Sequence, residues 1–233
     1  MIRTFKALSA LLSYPGPELK AAACELRAAI ASETMVRGEP LRRLGRLIEA
    51  LATDDLYELQ ERYVDLFDRS RALSLHLFEH VHGESRDRGQ AMIDLQNLYE
   101  DGGLAIGGGE LPDYLPLFLE FLSTQQPAEA RELLGQAAHI IAALESRLEK
   151  RGSPYAAVFT ALARIAPQAG ATIADDTAGD VDPADLTELD AVWEDEPVTF
   201  GPESAPGCKD DLIARLRAAK RSARTAAGGL PNV

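Results

Sequence analysis

The sequence predicts an all-α fold: a single helical domain of about eight or nine helices over residues 1–165, followed by a largely disordered acidic tail over residues 166–233. Hydrophobic residues make up 46% of the 233 residues and aromatic residues only 6%, and the abundant Ala and Leu have high helix propensities. Apolar residues recur at intervals of three and four, as one face of an amphipathic helix requires, and no segment shows the alternation of a half-buried strand.

Four helices are predicted in the first 70 residues, each from one apolar stripe. The first covers residues 2–13 and ends at Tyr14–Pro17. The second covers residues 18–31, a third begins at Pro40, and a fourth follows Asp54. Their stripes face one side at helical spacing: Ile2, Phe5, Leu8 and Leu12 in the first; Leu41, Leu44, Leu47, Ile48 and Leu51 in the third; Leu56, Leu59, Tyr63, Leu66 and Phe67 in the fourth.

Four more helices are predicted between residues 90 and 165. One covers residues 90–101, one begins at Pro112, the longest runs from Pro127 to Gly152, and the last begins at Pro154. Proline is favoured in the first turn of a helix, and glycine interrupts helices. The sequence therefore places helix boundaries as well as helices in this half of the chain.

The charge of the chain limits its partners. The formal net charge is −13 and the isoelectric point about 4.8, so nucleic acid and anionic lipid are disfavoured ligands and a basic partner is attracted. Acidity that serves only solubility is the alternative. No stretch approaches the ~20 apolar residues of a membrane span, Cys24 and Cys208 form no CxxC motif, and we expect a cytoplasmic protein.

The composition changes at Ile165. Residues 165–208 contain 11 acids and no Lys or Arg, and such a segment cannot bury enough apolar surface to offset the entropy of ordering it. Disorder is therefore predicted there. Residues 209–233 carry a charge of +4, and a short basic helix is predicted over about 210–224.

Three of the four histidines fall within residues 76–82, and His76-Leu77-Phe78-Glu79-His80 matches the HxxEH pattern of a zinc hydrolase. On a helix, His76 and His80 would face the same way as two metal ligands, with Glu79 as general base. Two other interpretations stay open: half-buried, hydrogen-bonded histidines, and a polar site that recognises groups on a peptide.

A second cluster surrounds the helix predicted from Pro112. Asp113 and Glu120 are seven residues apart, which places them on one face of a helix, with Tyr114 nearby. They could act as an acid–base pair, or Asp113 could stabilise the helix N-terminus while Glu120 is solvated. We favour a third interpretation, in which both border a groove and meet a positive charge on a bound peptide.

These segments together resemble a known family. Tyr63-Val64-Asp65-Leu66-Phe67 fits the Y-x-x-L-F motif of the redox-enzyme maturation chaperones, the TorD/DmsD family, and residues 74–89 resemble the signature of its NarJ-type branch, which serves respiratory nitrate reductase. The segments at 8–15, 111–116 (with Glu120) and 193–200 are also similar to that branch.

The resemblance implies an all-helical chaperone with no catalytic activity and no cofactor of its own. It implies a partner in the cytoplasm: the N-terminal segment of the catalytic, molybdenum-containing subunit of nitrate reductase, which is held open for cofactor insertion. Cofactor-delivery proteins are further candidate partners, whereas nucleic acid and membrane insertion are not expected. A chaperone for a dimethyl sulfoxide or trimethylamine N-oxide reductase is the alternative within the superfamily.

The predicted peptide site combines aromatic and charged residues. Its apolar wall is expected from Tyr63, Phe67, Phe78 and Tyr114, and its polar rim from Glu79, His80, Asp113 and Glu120, with Arg86 in the charged loop 83–89. Ordinary core packing is the alternative for each aromatic side chain.

Overall fold

The computed structural model describes residues 1–80, 87–107, 109–167, 212–218 and 220, and within them the fold is all-α, as predicted. Ten α-helices lie in the described residues up to 167. They are α1 (Arg3–Leu11), α2 (Pro17–Ala21), α3 (Ala23–Glu33), α4 (Glu39–Thr53), α5 (Leu56–Tyr63), α6 (Asp87–Asp101), α7 (Leu115–Thr124), α8 (Pro127–Gln136), α9 (Ala138–Lys150) and α10 (Ala156–Ile165).

Two predicted helices are each broken into two, which is why the count exceeds eight or nine. The break between α2 and α3 is at Ala22, whose ψ is 0°, and the break between α8 and α9 is at Ala137, whose ψ is 5°. A single residue outside helical ψ redirects the chain, and neither alanine differs from its neighbours in sequence. The helix predicted from Pro112 also begins later, at Leu115.

Helix α7 is the central element of the core. Eight of its ten residues are buried, so it is apolar on all sides, as expected of a helix enclosed by others. It packs against α1, and Phe121 of α7 stacks on Tyr99 of α6 with ring centroids 4.7 Å apart. The other helices form a layer in which α10 packs on α4 and α9, and α3 packs on α1 and α4.

Residues 64–80 connect α5 to α6 without an ordinary α-helix. Val64–Asp68 forms a π-helical turn, and Arg71–Leu73 and Leu77–His80 form 3₁₀ turns. This connection meets the segment that precedes α7: Leu77 N–H donates to the Asp113 carbonyl at 2.9 Å, and Leu115 N–H donates to the Leu75 carbonyl at 2.8 Å. His76 and Tyr114 thus form an isolated antiparallel bridge.

A short helix near the C-terminus packs on the helical body. It covers residues 212–218, inside the segment for which the sequence predicts a basic helix, and Leu212, Ile213 and Leu216 are buried within the hydrophobic core. The tail was expected to bury little, and these three side chains differ from that expectation. The predicted disorder of residues 168–211, with Trp193 and its neighbours, lies outside the described residues.

None of the helices in the described residues combines the length and the apolar character needed to cross a membrane.

Candidate functional site

An open cleft of about 190 Å³ lies beside the start of α7. We call it the aromatic cleft. Its lining brings together the segment that follows α1, the π-helical turn and the bridged segments. The lining residues are Tyr14, Tyr63, Phe67, Asp68, Leu75, His76 and Tyr114. The described structure thus gathers three of the nine predicted site residues, Tyr63, Phe67 and Tyr114, in one concave surface.

Tyr63 is held in the cleft wall by two hydrogen bonds of its hydroxyl group. Its hydroxyl donates to the Leu12 carbonyl at 2.9 Å, and it lies 3.1 Å from the Tyr114 hydroxyl. Because a phenol carries one proton, Tyr114 is the donor in that second bond. Burial raises the pKa of both Tyr63 and Tyr114, so both hydroxyls are neutral and the wall carries no phenolate charge.

The π-helical turn explains how the Y-x-x-L-F motif contributes two aromatic rings. Tyr63 and Phe67 contact each other with ring centroids 5.0 Å apart. The wider turn is a rare local structure that is frequent at functional sites, and the exposed carboxylate of Asp68 follows Phe67 along the cleft lining. Apolar wall and negative charge therefore come from consecutive residues.

His76 lines the cleft, and Asp113 holds it from behind. Asp113 is fully buried (0% exposed), and its Oδ1 lies 3.0 Å from Nδ1 of His76. Its Oδ2 accepts the Phe78 N–H at 3.2 Å and lies 3.7 Å from Nη2 of Arg88. The hydrogen bond from Asp113 raises the pKa of His76, partly offset by burial. This arrangement orients one face of the imidazole towards the cleft, where it lies 5.4 Å from the Tyr114 ring.

Three predicted rim or wall residues lie behind this surface. Phe78 is a core side chain with no exposure. Glu79 lies 3.6 Å from Arg88, so it contacts the same arginine as Asp113. His80 Nε2 is 2.8 Å from the Ser74 carbonyl, and burial lowers the pKa of His80. All three support the segment that carries His76, and none of them lines the cleft.

Glu120 does not line the cleft. Because α7 begins at Leu115, Asp113 precedes the helix, and the predicted shared helix face of Asp113 and Glu120 is wrong. Glu120 instead forms an ion pair with Lys6 of α1. Arg86 lies outside the described residues.

The zinc-site interpretation of HxxEH requires a geometry that differs from the structure. His76 precedes the 3₁₀ turn that contains Glu79 and His80, so the motif does not lie on the α-helix that the zinc interpretation requires. The two imidazoles hydrogen-bond to separate partners, Asp113 and the Ser74 carbonyl. Within the described residues, no group of three His, Cys, Asp or Glu side chains is arranged to hold a metal ion.

A family model described as "Nitrate reductase delta subunit" matches residues 36–161, more than half of the chain. The chain belongs to this family. The match contains the Y-x-x-L-F motif, the HxxEH segment and all of α7. The membership predicted from residues 63–89 is therefore confirmed.

Individual proteins that are similar to this chain support its membership of the nitrate reductase delta subunit family. The nitrate reductase molybdenum cofactor assembly chaperone NarJ of Escherichia coli (strain K12) is 44% identical over 212 residues, covering 88% of this chain and 87% of that protein. The probable assembly chaperone NarW of the same strain is 46% identical over 158 residues, 66% of this chain and 67% of that protein. The probable NarJ of Bacillus subtilis (strain 168) is 36% identical over 153 residues, 66% of this chain and 82% of that protein. These names describe assembly chaperones and not catalysts, in agreement with the prediction that the chain is not an enzyme.

Sequence reasoning missed four residues of the cleft lining: Tyr14, Asp68, Leu75 and His76. Tyr14 follows α1, at the predicted end of that helix and in the family-like segment 8–15, and its ring meets Tyr63 edge to face at 5.6 Å. Asp68 directly follows the Y-x-x-L-F motif, and a charged residue closing an apolar motif was the available signal. His76 was considered as a metal ligand and was not predicted to line a peptide groove.

Proposed function

We propose that this chain is a dedicated cytoplasmic chaperone that binds the N-terminal segment of the catalytic, molybdenum-containing subunit of nitrate reductase in the aromatic cleft. It keeps that subunit competent for cofactor insertion and complex assembly. The observation that carries the proposal is the cleft itself, an open surface of aromatic rings beside an exposed carboxylate, in a family whose relatives are named as assembly chaperones of nitrate reductase.

The lining of the cleft suits an amphipathic peptide. Aromatic side chains supply a large contact area at a small cost in side-chain entropy, and grooves of this kind accept the apolar face of a helix. Tyr14 is 52% exposed and lies over the buried Tyr63, so it can close against a bound segment. Asp68 and His76 supply polar contacts at the edge.

Charge supports a client segment that carries Lys or Arg. Residues 1–164 have a net charge of −6, and an acidic surface accelerates encounter with a basic peptide while adding specificity more than affinity. Glu79 and Asp113 act through Arg88 and His76 in this proposal, as residues that position the cleft wall. Cofactor-delivery proteins remain candidate partners for the assembled complex of chaperone and client.

Calorimetry tests the proposal with the full chain and a synthetic peptide that copies the N-terminal segment of the catalytic subunit. We expect a dissociation constant in the micromolar range or below, about −8 kcal/mol or more favourable. The Tyr14→Ala variant should bind about tenfold more weakly because it loses an aromatic contact. The matched control is Tyr57→Ala, since Tyr57 is 80% exposed and does not line the cleft.

A second pair of variants tests the charge. Asp68→Asn should weaken binding several-fold at low salt and less at high salt, because the ionic contact is screened. Asp65→Asn removes the same charge from the same π-helical turn, but Asp65 pairs with Arg69 at 2.9 Å outside the cleft lining, so it should leave affinity unchanged. Absence of binding at high concentration, or equal losses in both members of each pair, would remove the cleft from the mechanism.

The choice of client is tested with a competing peptide. A leader from a dimethyl sulfoxide reductase should bind the chain more weakly than the nitrate reductase segment. Stronger binding of the dimethyl sulfoxide reductase leader would favour the alternative client class.

A further inference from the structure

A second surface lies on α6 and α7, where a segment formed by residues 212–218 and 220 is seated. Leu212, Ile213 and Leu216 are 2%, 5% and 1% exposed, and with Lys220 they lie on one stripe of a helix at spacings of one, four and eight. The buried side chains of the segment therefore form one face of a helix, and that face packs on the body.

Two cations of this segment contact the body, and a third lies near it. Arg217 Nη2 lies 2.8 Å from Asp94 Oδ1 of α6. Lys220 Nζ donates to the Leu98 carbonyl at 2.9 Å and lies 5.5 Å from the centroid of the Phe121 ring. Arg215 is close enough to His139 of α9 to contribute, after burial, to lowering the pKa of that histidine.

The Lys220 contact has a clear physical basis. Leu98 is in the last turn of α6, where the helix dipole is negative, and its carbonyl accepts the Gly102 N–H at 3.2 Å as well as the Lys220 ammonium. An ammonium group beside this carbonyl is stabilised by the hydrogen bond and by the dipole, and the Phe121 ring beneath it adds a cation–π contact. The surface formed by Asp94, Leu98 and Phe121 thus recognises a helix that is apolar on one side and basic at its end.

This surface is separate from the aromatic cleft. The cleft is lined by residues that follow α1, by the π-helical turn and by the bridged segments at 75–76 and 114. The contacts of the C-terminal segment involve α6 and α7, and the two sets share no residue.

The seated segment is weakly held by its own structure. A helix of seven residues is not stable alone in water, so it becomes ordered only through its contacts with the body. Burial of the three apolar side chains stabilises the seated segment by a free energy of the same order as the entropic cost of ordering it. Its attachment is thus balanced closely enough for a competing helix to replace it.

We propose that the α6–α7 face is a second docking surface, which takes a basic amphipathic helix from a partner protein, and that residues 212–218 and 220 occupy it in cis until the partner's helix displaces them. The partner helix carries apolar residues at positions one, two and five of a nine-residue stretch and cations at positions six and nine. The tail is an intramolecular competitor that keeps this face covered while no partner is present.

The test uses the full chain and a fluorescent synthetic peptide of residues 209–224, with binding measured by anisotropy. Leu216→Asp in the chain should release the tethered segment and raise the affinity for the free peptide at least tenfold over the wild type, since a tethered competitor acts at an effective concentration on the order of 1 mM. Ala214→Asp is the matched control, because Ala214 is on the exposed side of the same helix, and it should behave as the wild type.

A second substitution locates the surface. In the Leu216→Asp chain, Asp94→Lys should weaken peptide binding about tenfold, whereas Glu100→Lys, on an exposed position of the same helix, should have no effect. Lys220→Glu provides a second way to release the segment if Leu216→Asp impairs folding, and it should raise peptide affinity in the same direction.

Equal peptide affinity in the wild-type and released chains would overturn the proposal, as would the absence of binding to the released chains at millimolar peptide. This result is separable from a failure of the proposed function, because the catalytic-subunit peptide should bind the Asp94→Lys chain normally. If Asp94→Lys abolished the binding of both peptides, the two peptides would share one site, and this result would also overturn the proposal.

Discussion

Asp113 and His76 are 37 residues apart in the chain, yet their side chains are joined by a hydrogen bond of 3.0 Å between Oδ1 and Nδ1. Asp113 is fully buried, whereas the side chain of His76 is 31% exposed. The buried Asp113 therefore fixes the position of the His76 ring at the surface of the aromatic cleft. Both residues belong to segments that resemble the family signature.

Asp113→Asn should destabilise the protein by about 1.5–3 kcal/mol, the usual worth of a hydrogen bond to a charged group. The loss arises because the amide presents a donor where one carboxylate oxygen now accepts from His76 or from the Phe78 N–H. Urea denaturation measures the change. Asp65→Asn, at an exposed ion pair, is the control and should change stability by less than about 1 kcal/mol; equal effects would show that Asp113 carries no special weight.

The His76–Asp113 pair should make stability depend on pH. The folded-state pKa of His76 is raised above its ordinary value of 6.5, mainly by the Asp113 hydrogen bond, so the folded protein binds this proton more tightly than the unfolded chain. The stabilisation is fully present below about pH 6.5 and is lost as pH rises through the folded-state pKa.

The measurement is the difference in unfolding free energy between the wild type and His76→Gln, from about pH 5.5 to about pH 8.5. It should decrease as pH rises. His80 and His139, whose pKa values are lowered by burial, are present in both proteins and cancel in the difference. A constant difference across this range, or one that grows with pH, would contradict the assignment.

Glu120→Gln should leave the affinity for the catalytic-subunit peptide unchanged within about twofold. Glu120 pairs with Lys6 at the α1–α7 contact and does not line the aromatic cleft. Removing an exposed ion pair costs less than about 1 kcal/mol of stability. Calorimetry beside Asp68→Asn makes the comparison, and a loss for Glu120→Gln as large as that for Asp68→Asn would extend the binding surface along α7.

Two glycines should respond to alanine in opposite directions. A Cβ at Gly102 would lie 2.4 Å from Cε2 of Phe121, whereas a Cβ at Gly45, inside α4, would meet no atom within 4 Å. Gly102→Ala should destabilise the protein by about 1–3 kcal/mol because the added Cβ overpacks the core. Gly45→Ala should stabilise the protein by about 0.5–1 kcal/mol because alanine lowers the conformational entropy of the unfolded chain. Thermal melts compare them, and a stable Gly102→Ala protein would mean that Phe121 can shift freely.

Periodicity was sufficient to predict the helical elements and much of the core. Leu44, Leu47, Ile48 and Leu51 are spaced as one stripe and are all buried in α4. Each such stripe is a local property of the chain, and burial of apolar faces determines it. The helix breaks at Ala22 and Ala137 were not predictable, because the tertiary packing that redirects the chain there leaves no local signal.

The candidate site was only partly predictable for a related reason. Tyr63, Phe67 and Tyr114 belong to motifs, but the approach of Tyr114 to Tyr63 depends on a bridge between residues 75–77 and 113–115. Likewise, the pairing of His76 with Asp113 and of Lys220 with Leu98 spans long sequence separations. Spacing along the chain carries no information about such contacts unless a family pattern supplies it.

The two backbone hydrogen bonds at the His76–Tyr114 bridge have a consequence for the timing of assembly. They connect the first part of the chain to the start of the central helix, and long-range closures of this kind are entropically costly, so they form after local helices. Tyr114 joins the cleft lining through this junction, whereas the other lining residues all precede residue 77. We therefore expect a nascent or partially denatured molecule to present an incomplete cleft that lacks Tyr114.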